Sequence, residues 1–467
     1  MPWCLEVATG APYDLIQIKD FRKGRAHPLA MWPYHPELLE QPVPRYTSFP
    51  TAAEFEAIDA GDYSTAIEST SGDVSLYVHI PFCEKICHYC GCNTGAAGRR
   101  HRLESYLEAL HREIETVSRL LPSDSQVRRI AFGGGSPNAL APTDFVRLVD
   151  DLIIRFGISD PVFSIELDPR TMSREWAEVI RALEIDRASL GVQTFAPHCQ
   201  EAIGRVQSET LIAETTDLLR NAGVTSLNFD LMYGLPQQSN DDLSESLQRA
   251  VAFGADRIAL FGYAHMPHVV PRQRAVDARF MPDRAARFGM AQIGFSFLCS
   301  NGFSAIGFDH FARSENDPLA IAAQAGTLRR NFQGFTDDNA RALIGLGASA
   351  ISSFETLLAQ NEKNSGRYRM LASDGRLATV RGRSRSTDDR TRGQVIEQLL
   401  CSGKAQISSE TEAQAMPFLM PFLERGLACC EEGVISITPQ GLPYSRAIAA
   451  LFDPYRDHPP GRFSSAV

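Results

Sequence analysis

Short apolar runs alternate with longer amphipathic runs along the chain from residue 75 onward. The short runs predict strands, and the longer ones, which keep an apolar face at i, i+3 and i+4 spacing, predict helices. Six strands are predicted, at 76–80, 129–132, 162–167, 188–192, 226–232 and 257–261. Five helices are predicted between them, at 103–117, 142–156, 174–183, 210–221 and 241–253. This repeated order predicts an α/β fold, a parallel sheet with covering helices that is curved or closed into a barrel.

Unusual residues follow these predicted strands directly. They are the stretches 79–83 (His-Ile-Pro-Phe-Cys), 133–137 (Gly-Gly-Gly-Ser-Pro), 166–168 (Glu-Leu-Asp), Gln193 and 233–236 (Tyr-Gly-Leu-Pro). Folds of this kind place their chemistry at the carboxyl ends of the strands. We therefore expect these stretches to lie together at one edge of the sheet.

The two ends of the chain have a different character. Residues 1–54 carry several prolines and aromatic residues without sustained periodicity, which predicts an extended arm. From about residue 370 the chain turns basic and polar, then helical over 390–400, and residues 429–439 suggest two short β runs around a Glu-Glu-Gly turn. We predict an arm at 1–54, a catalytic barrel at 55–369 and a small α+β or helical domain at 370–467.

Composition narrows the class of protein. The 467 residues include 46 Lys and Arg against 56 Asp and Glu, a formal charge of −10. The acidic balance argues against nucleic-acid binding, and the 44% hydrophobic fraction is that of an ordinary globular protein. No apolar stretch is long enough for a membrane span, and the first ten residues do not resemble a signal peptide. We expect a cytoplasmic protein, and a monomer.

A cysteine loop carries the strongest chemical signal. Four of the ten cysteines lie in the stretch Cys83-Glu-Lys-Ile-Cys87-His-Tyr-Cys90-Gly-Cys92. Thiolates are soft ligands that suit zinc or an iron–sulfur cluster. A structural zinc site usually takes two separated ligand pairs, and the chain has no second pair of this kind. Three cysteines on one loop instead suit three corners of a [4Fe–4S] cluster, leaving the fourth iron open. A redox dithiol and a zinc-bound structural protein are the alternatives.

The C-x3-C-x2-C spacing after an apolar strand resembles that of the radical S-adenosylmethionine (SAM) superfamily. In that superfamily SAM chelates the open iron, and one electron cleaves it to methionine and a 5′-deoxyadenosyl radical. The Gly-Gly-Gly-Ser-Pro turn resembles the superfamily's glycine motif, whose backbone approaches the SAM ammonium. Glu166 ends a predicted strand and would hold the ammonium or a ribose hydroxyl, with a buried salt bridge as the alternative.

Several further motifs are similar to those of the oxygen-independent coproporphyrinogen III oxidases. The resemblance runs from about residue 44 into the C-terminal region, and its motifs are Pro44-Arg-Tyr-Thr-Ser-Phe-Pro50, Tyr77-Val-His-Ile-Pro-Phe-Cys83, Cys90-Gly-Cys92-Asn93, Gly191-Val-Gln193, Asp230-Leu-Met-Tyr-Gly-Leu-Pro236, Tyr263-Ala-His265, Asp309-His-Phe-Ala-Arg313, Arg330-Asn-Phe-Gln-Gly334 and Gly347-Ala-Ser-Ala-Ile351. It implies oxidative decarboxylation of two propionates of coproporphyrinogen III to vinyl groups, giving protoporphyrinogen IX in haem biosynthesis. It also implies a partial (β/α)6 barrel, two bound SAM molecules and an electron donor of flavodoxin or ferredoxin type.

The resemblance assigns residues position by position. The cluster ligands would be Cys83, Cys87 and Cys90, whereas Cys92 matches a family cysteine that need not be a ligand. Tyr77, Gly134 and Glu166 match the first SAM site. The other cofactor positions are Tyr89, where the family commonly has Phe, and the second-site residues Gly135, Ser136, Gln193, Arg205, Asp230, Ala264 and Ile351. Arg205 could pair bidentately with a SAM carboxylate, and Asp230 could accept from hydroxyls or an ammonium. The resemblance assigns no catalytic residue.

Two related functions remain as alternatives. A haem-binding or haem-trafficking relative would share the cysteine loop and the glycine turn, but such relatives typically have Asp-Phe after the third cysteine and lack the Pro-Arg-Tyr-Thr-Ser arm. A paralogue acting on another tetrapyrrole stays open because the segments 354–368 and 401–407 depart from the family pattern. His79 and His310 could contact substrate carboxylates or satisfy buried hydrogen bonds.

Overall fold

A computed structural model of the chain describes residues 31–98, 100–313, 317–456 and 463. Residues 1–30 of the predicted N-terminal arm therefore lie outside the described residues. The strands are β1 (Glu56–Ala57), β2 (Gly72–Ile80), β3 (Phe82–Cys83), β4 (Gly95–Ala96), β5 (Ser125–Gly134), β6 (Val162–Leu167), β7 (Arg187–Gln193), β8 (Ser226–Tyr233), β9 (Arg257–Gly262), β10 (Phe303–Ile306), β11 (His310–Arg313), β12 (Arg329–Asn331), β13 (Gly334–Thr336), β14 (Ala342–Leu346), β15 (Ile351–Ser353), β16 (Leu357–Asn361), β17 (Thr379–Ser384), β18 (Lys404–Gln406), β19 (Ala428–Glu431) and β20 (Val434–Ile437).

The helices cover the sheet or build the C-terminal part. They are α1 (Ala60–Glu68), α2 (Arg100–Ser118), α3 (Pro142–Phe156), α4 (Arg174–Ala182), α5 (Pro197–Ala202), α6 (Glu209–Asn221), α7 (Asn240–Ala252), α8 (Arg284–Ser300), α9 (Pro318–Ala325), α10 (Ser365–Ser373), α11 (Thr387–Ser402), α12 (Ser409–Glu424) and α13 (Ser445–Ala449). None of the helices in the described ranges combines the length and apolar character that a membrane crossing requires.

One sheet of thirteen strands organises the molecule. Its order is β1-β17-β16-β15-β14-β2-β5-β6-β7-β8-β9-β11-β10, and the seven strands from β14 to β9 run parallel. The six strands predicted from the sequence are β2 and β5 to β9, so the predicted α/β fold with repeated strand–helix units is confirmed. The end strands β1 and β10 do not pair with each other, so the barrel is partial.

The parallel part of the sheet curves around an internal cavity. Side chains from all six predicted strands line this cavity, whose volume is about 340 Å³. At the amino ends of the strands, Arg129 and Arg187 each donate to the Asp337 carboxylate at 2.9 Å. The cavity therefore has an ion-paired floor, and the carboxyl ends of the strands surround its other end.

Local sequence signals set the bounds of the covering helices. Helix α3 begins with Pro142 and ends before Gly157, which adopts a left-handed conformation with φ of 60°. Proline suits the first helical position, and glycine suits a left-handed C-cap. Helix α7 starts with a capping box between Ser239 and Asp242. These signals explain why the predicted bounds of α3 agree with the structure.

Helix α2 is fastened to the sheet by a buried carboxylate. Glu113, which is 2% exposed, accepts from the Tyr368 hydroxyl at 2.6 Å, the Gly347 amide at 2.6 Å and Asn361 Nδ2 at 2.6 Å. These donors lie on α10, just after β14 and at the end of β16. One side chain therefore connects α2, α10 and the antiparallel extension of the sheet.

A second hydrophobic core joins the arm to the C-terminal residues. Leu39, Val43 and Phe49 belong to this core together with residues of α11, α12 and the three-stranded sheet β18-β20-β19. The Tyr46 hydroxyl donates to Asp453 at 3.0 Å. Residues 379–384 form β17 in the main sheet, and the division into segments at 54 and 369 stays a prediction.

Candidate active site

The cysteine loop begins where the first parallel strand ends. After β2, the chain forms the short strand β3, which pairs with β4 and closes the loop between them. Inside the loop, the Thr94 hydroxyl donates to Cys83 Sγ at 3.3 Å, and the Cys92 amide donates to Cys90 Sγ at 3.4 Å. Loop residues thus surround the sulfur atoms with hydrogen-bond donors.

Two arginines face the sulfur of Cys87. Arg170 Nη2 and Arg205 Nη1 each lie 3.4 Å from Cys87 Sγ. Both guanidinium groups also pair with the Asp168 carboxylate, at 2.6 Å from Arg170 and 3.3 Å from Arg205. Both contacts place a guanidinium group beside a sulfur atom of the loop. Hydrogen bonds from Cys92, opposed by burial, lower the pKa of Cys90 to about 6.

The donor set fits an iron–sulfur cluster. Cys83, Cys87 and Cys90 lie on one loop, and none of the three is in a disulfide. Three thiolates on one loop are the usual ligands of an iron–sulfur cluster, so these residues are suited to hold one.

The glycine turn packs directly against the cysteine loop. The amides of Gly135 and Ser136 donate to the carbonyls of Ile80 and Phe82, both at 2.8 Å. A Cβ atom on Gly135 would lie 2.7 Å from the Phe82 nitrogen, and one on Gly133 would lie 2.7 Å from Glu166 Cδ. Gly134 has a φ of 108°, which non-glycine residues rarely adopt. The close backbone approach therefore requires glycine at these positions.

Two carboxylates face the cavity inside the curved sheet. Glu166, the next-to-last residue of β6, accepts from the Gly134 amide at 3.2 Å, and burial raises its pKa to about 7. Asp230 in β8 accepts from Asn228 Nδ2 at 2.8 Å and from the Ser189 hydroxyl at 3.2 Å, and burial raises its pKa. Buried carboxylates are stabilised by a cation, so this cavity suits a positively charged ligand.

Arg205 and Gln193 lie together at the end of β7. Arg205 Nε donates to the Gly191 carbonyl at 2.9 Å. Gln193 adopts a left-handed conformation with φ of 68°, where the pairing of β7 with β8 shifts register. A Cβ atom on Gly191 would lie 3.1 Å from Gln193 Nε2. Gln193, the predicted second-site residue of β7, thus lies near the arginine that contacts Cys87.

Hydrogen bonds from neighbouring side chains fix the positions of other predicted cofactor residues. Gln273 Nε2 donates to the carbonyls of Tyr89 and Ala264, at 2.7 and 3.1 Å. The Tyr77 hydroxyl forms a 3.1 Å hydrogen bond with His79 Nδ1. Ile351 begins β15, two strands away from β2 across β14. Ile351 therefore lies on the opposite side of β2 from β7 and β8, the strands that carry Gln193 and Asp230.

Comparisons with known proteins agree with this geometry. Residues 77–250 match the model of the radical SAM superfamily. The chain is 37% identical to the oxygen-independent coproporphyrinogen III oxidase of Bradyrhizobium diazoefficiens over 91% of this chain and 96% of that protein. It is 38% identical to the corresponding Pseudomonas aeruginosa protein over 88% of this chain and 93% of that one. The chain belongs to the oxygen-independent coproporphyrinogen III oxidase family.

A solved structure extends the similarity to the three-dimensional fold. The coproporphyrinogen III oxidase of Escherichia coli, described as a radical SAM enzyme, superimposes with a TM-score of 0.85 at 33% identity, covering 91% of this chain and 99% of that one. This family member is therefore an enzyme, a radical SAM oxidoreductase. Its superfamily implies a [4Fe–4S] cluster and SAM, for which the cysteine loop and the carboxylate-lined cavity provide fitting residues.

The sequence analysis assigned no role to three residues that the structure places around the predicted site, although it placed Asp168 in a stretch expected at this edge. Asp168 pairs with Arg170, which contacts Cys87 Sγ. Gln273 links Tyr89 to Ala264. The position of the Asp-Pro-Arg segment two residues after Glu166 was the available signal for the first two. Gln273 lies in a short 3-10 helix, Pro271–Ala275, without a recognisable motif, and the sequence offers no signal for it.

Proposed function

We propose that this enzyme converts coproporphyrinogen III to protoporphyrinogen IX by oxidative decarboxylation of two propionates to vinyl groups, as a step of haem biosynthesis in the cytoplasm. The observation that carries the proposal is similarity to coproporphyrinogen III oxidases over nine-tenths of the chain, at identities of 35–38%. The same stretch of chain includes the cysteine loop, the glycine turn and both cavity carboxylates.

The proposed chemistry begins with reductive cleavage of SAM. When bound, the cluster would supply one electron that cleaves SAM to methionine and a 5′-deoxyadenosyl radical. That radical would take a hydrogen atom from a propionate β-carbon and leave as 5′-deoxyadenosine, and the substrate radical would then lose CO2 and pass one electron to a one-electron acceptor. Cys83, Cys87 and Cys90 would hold the cluster. Glu166, with the Gly134 amide beside it, would bind the ammonium or a ribose hydroxyl of the first SAM.

The proposed second SAM site lies around β7 and β8. Arg205 would pair with the SAM carboxylate, and Asp230 would accept from a hydroxyl or an ammonium group. Gly135, Ser136, Gln193, Ala264 and Ile351 would complete this site, and Tyr77 and Tyr89 would line the cofactor region. A second molecule matches the need to oxidise two propionates.

The hydrogen bonds of His79 suggest a positioning role beside the first SAM site. Burial lowers the pKa of His79 to about 4, so its imidazole is neutral. Its two ring nitrogens bond the Tyr77 hydroxyl and the Asn93 carbonyl, both at 3.1 Å. His79 would fix Tyr77 relative to the cysteine loop without contributing charge.

Anaerobic turnover tests the proposal. Iron-reconstituted protein is incubated with coproporphyrinogen III, SAM and dithionite, and protoporphyrinogen and 5′-deoxyadenosine are followed together. Two deoxyadenosines per protoporphyrinogen are expected. Cys83→Ala should abolish both products and the brown iron–sulfur absorbance, while Cys429→Ala, far along the chain, serves as the matched control.

The other outcomes identify the alternatives. Deoxyadenosine without protoporphyrinogen would assign another tetrapyrrole substrate to the same radical chemistry. Haem binding in a titration, with neither product despite a verified cluster, would favour the haem-trafficking function. Size-exclusion chromatography of the same preparation tests the proposed monomer.

A further inference from the structure

A basic groove lies on the outer side of the cysteine loop. Its volume is about 530 Å³, and its walls come from the loop before β4, from α2 and from the start of α10. Three cationic side chains line it: Arg102, Lys363 and Arg369. No aspartate or glutamate of the described residues is among the groove's lining residues. The groove is therefore positively charged.

Carboxylates neutralise two arginines of α2 that lie near the groove, but not the cations that line it. Nearby Arg100 pairs with Glu104 at 2.7 Å, and Arg112 pairs with Glu115 at 2.9 Å. Within the described ranges, Arg102, Lys363 and Arg369 form no ion pair with a carboxylate. The chain carries a net charge of −10. Three unneutralised cations that converge on one groove of an acidic protein produce a local field that attracts an anionic partner.

The groove contacts the cysteine loop near Cys83. Thr94 lines the groove, and its hydroxyl donates to Cys83 Sγ at 3.3 Å. Asn93, also in the groove, donates from Nδ2 to the Lys363 carbonyl at 2.9 Å and so connects the loop to the basic wall. A partner seated in the groove would lie one residue away from a cluster-binding sulfur.

We propose that this groove docks a small acidic protein that carries one electron at low potential. The inference rests on the proposed function, because cleavage of SAM consumes one electron. In this step the donor's reduced centre loses one electron, the iron–sulfur group held at Cys83 gains it, and no proton or chemical group is transferred. Redox encounters use small interfaces that depend strongly on charge, which suits a groove lined by three cations.

Binding of a flavodoxin tests the docking surface directly. The iron-reconstituted protein is titrated with an acidic flavodoxin by isothermal calorimetry at low and at physiological ionic strength. The variant Arg102→Glu/Lys363→Glu should bind about tenfold more weakly at low salt, and added salt should shrink the difference. The matched control is Arg147→Glu/Lys404→Glu, which reverses an exposed arginine and an exposed lysine in α3 and β18. The control should bind like the wild type.

A kinetic readout separates docking from catalysis. Stopped-flow oxidation of reduced flavodoxin should slow about tenfold in the groove variant, while SAM cleavage driven by dithionite, which needs no docking, should stay at the wild-type rate. The neutralising variant Arg102→Gln/Lys363→Gln should be intermediate, and unchanged melting temperatures confirm that both variants fold.

Several results would overturn the assignment. Equal flavodoxin affinity in the groove variant and the wild type would place the donor elsewhere. Loss of dithionite-driven cleavage in folded variants would make the groove part of the catalytic site. Binding of inorganic pyrophosphate in the groove, without any effect of the variants on flavodoxin, would assign it to a small anion. Normal flavodoxin-driven SAM cleavage without protoporphyrinogen would contradict only the proposed function.

Discussion

Glu166 is a partly buried acid that lines the cavity, and its charge depends on pH in the neutral range. Burial raises its pKa to about 7, and nearby Asp230 contributes in the same direction. A SAM cation is attracted to the ionised form, so SAM affinity should rise several-fold between pH 6 and pH 7.5 as Glu166 loses its proton. Equilibrium binding of SAM to the reconstituted protein, measured across this range, checks the prediction.

The variant Glu166→Gln isolates the contribution of this carboxyl group. It keeps the side-chain shape but cannot ionise, so SAM affinity should be weaker at pH 7.5 and nearly constant down to pH 6. Ser164→Ala removes another polar residue of the same strand and cavity and should keep the pH dependence. A pH dependence in Glu166→Gln equal to that of the wild type would show that another group titrates.

At the residue scale, side chains within recognisable motifs could be predicted from the sequence. The side chains that contact those motif residues from other segments could not. Cys83 and Glu166 lie at the carboxyl ends of strands, and Cys87 and Cys90 lie on the loop after Cys83, so the order of elements predicts one shared edge of the sheet. Asp168 and Arg170 look like an ordinary helix cap, since Asp168 also accepts from the Arg170 amide. Their contact with Cys87 depends on the packing of two distant segments, and no local pattern encodes it.

The glycine turn is the element that sets the position of the cysteine loop. Gly135→Ala would place a methyl group within 2.7 Å of the Phe82 nitrogen, against backbone that cannot move without shifting Cys83. We expect this variant to retain several-fold less iron after reconstitution, because overpacking of this kind forces backbone shifts. Iron analysis and absorbance spectra measure the effect.

Gly98→Ala is the matched control for this turn. Gly98 lies shortly after β4, and a Cβ atom there meets nothing within 4 Å. It should retain iron as the wild type does. Equal iron content in Gly135→Ala and Gly98→Ala would mean that the turn does not position the loop.

Glu113 makes α2 depend on the antiparallel extension of the sheet. Glu113→Ala leaves three buried donors without their acceptor, on Tyr368, Gly347 and Asn361, and should lower the free energy of unfolding by about 3 kcal/mol or more. Tyr368→Phe removes one of these hydrogen bonds and should cost about 1–2 kcal/mol. Urea unfolding compares both variants with the wild type.

The pH dependence of stability gives an independent check on Glu113. Burial raises its pKa to about 7 from an ordinary value of 4.5, so the folded state holds its proton more tightly than the unfolded chain. Stability from this group is therefore present below about pH 4.5 and is lost as pH rises toward 7. Glu113→Ala should remove this component, and an unchanged pH profile of unfolding would contradict it.

At the element scale, repeated units were predictable and non-local partners were not. The bounds of α3 follow from a proline, an apolar face and a glycine, all of them local signals. Strand β14 pairs with β2, which lies far earlier in the chain, and this pairing extends the parallel sheet beyond the six predicted strands. Helix α12 contains Pro417 and Pro421, which disfavour a helix, so tertiary packing decides its structure.

The arm and the C-terminal region hold each other through buried tyrosines. The Tyr444 hydroxyl donates to the Pro33 carbonyl at 2.6 Å and accepts from the His35 amide at 2.8 Å. Tyr444→Phe removes both bonds and should destabilise arm docking by about 1–3 kcal/mol. Limited trypsin digestion should then cut after Arg45 several-fold faster, because proteolysis follows the population of the opened arm. Mass spectrometry of the fragments measures the rate.

Tyr34→Phe is the control for the arm. The Tyr34 ring packs against Phe288, and within the described part of the chain its hydroxyl forms no hydrogen bond. The cleavage rate after Arg45 should stay near that of the wild type. Equal rates in both tyrosine variants would show that apolar packing alone holds the arm.

At the scale of the whole molecule, the sequence indicated an arm and a distinct C-terminal segment but not their shared core. Composition marks both segments as different from the repeated units between them. It does not show that Leu39 and Phe49 pack with residues of α11 and α12, because hydrophobic contacts are non-directional and a sequence does not specify their partners. Only the assembled structure reveals this closure of the chain's two ends.

The core shared by the arm and the C-terminal region has a consequence for folding during translation. Phe49 and its neighbours emerge early, whereas their partners in α11 are synthesised some 350 residues later. At about 5–20 residues per second, the arm waits for tens of seconds with its aromatic side chains uncovered. The nascent chain is therefore most exposed to aggregation during this interval, and synthesis of the last hundred residues ends it.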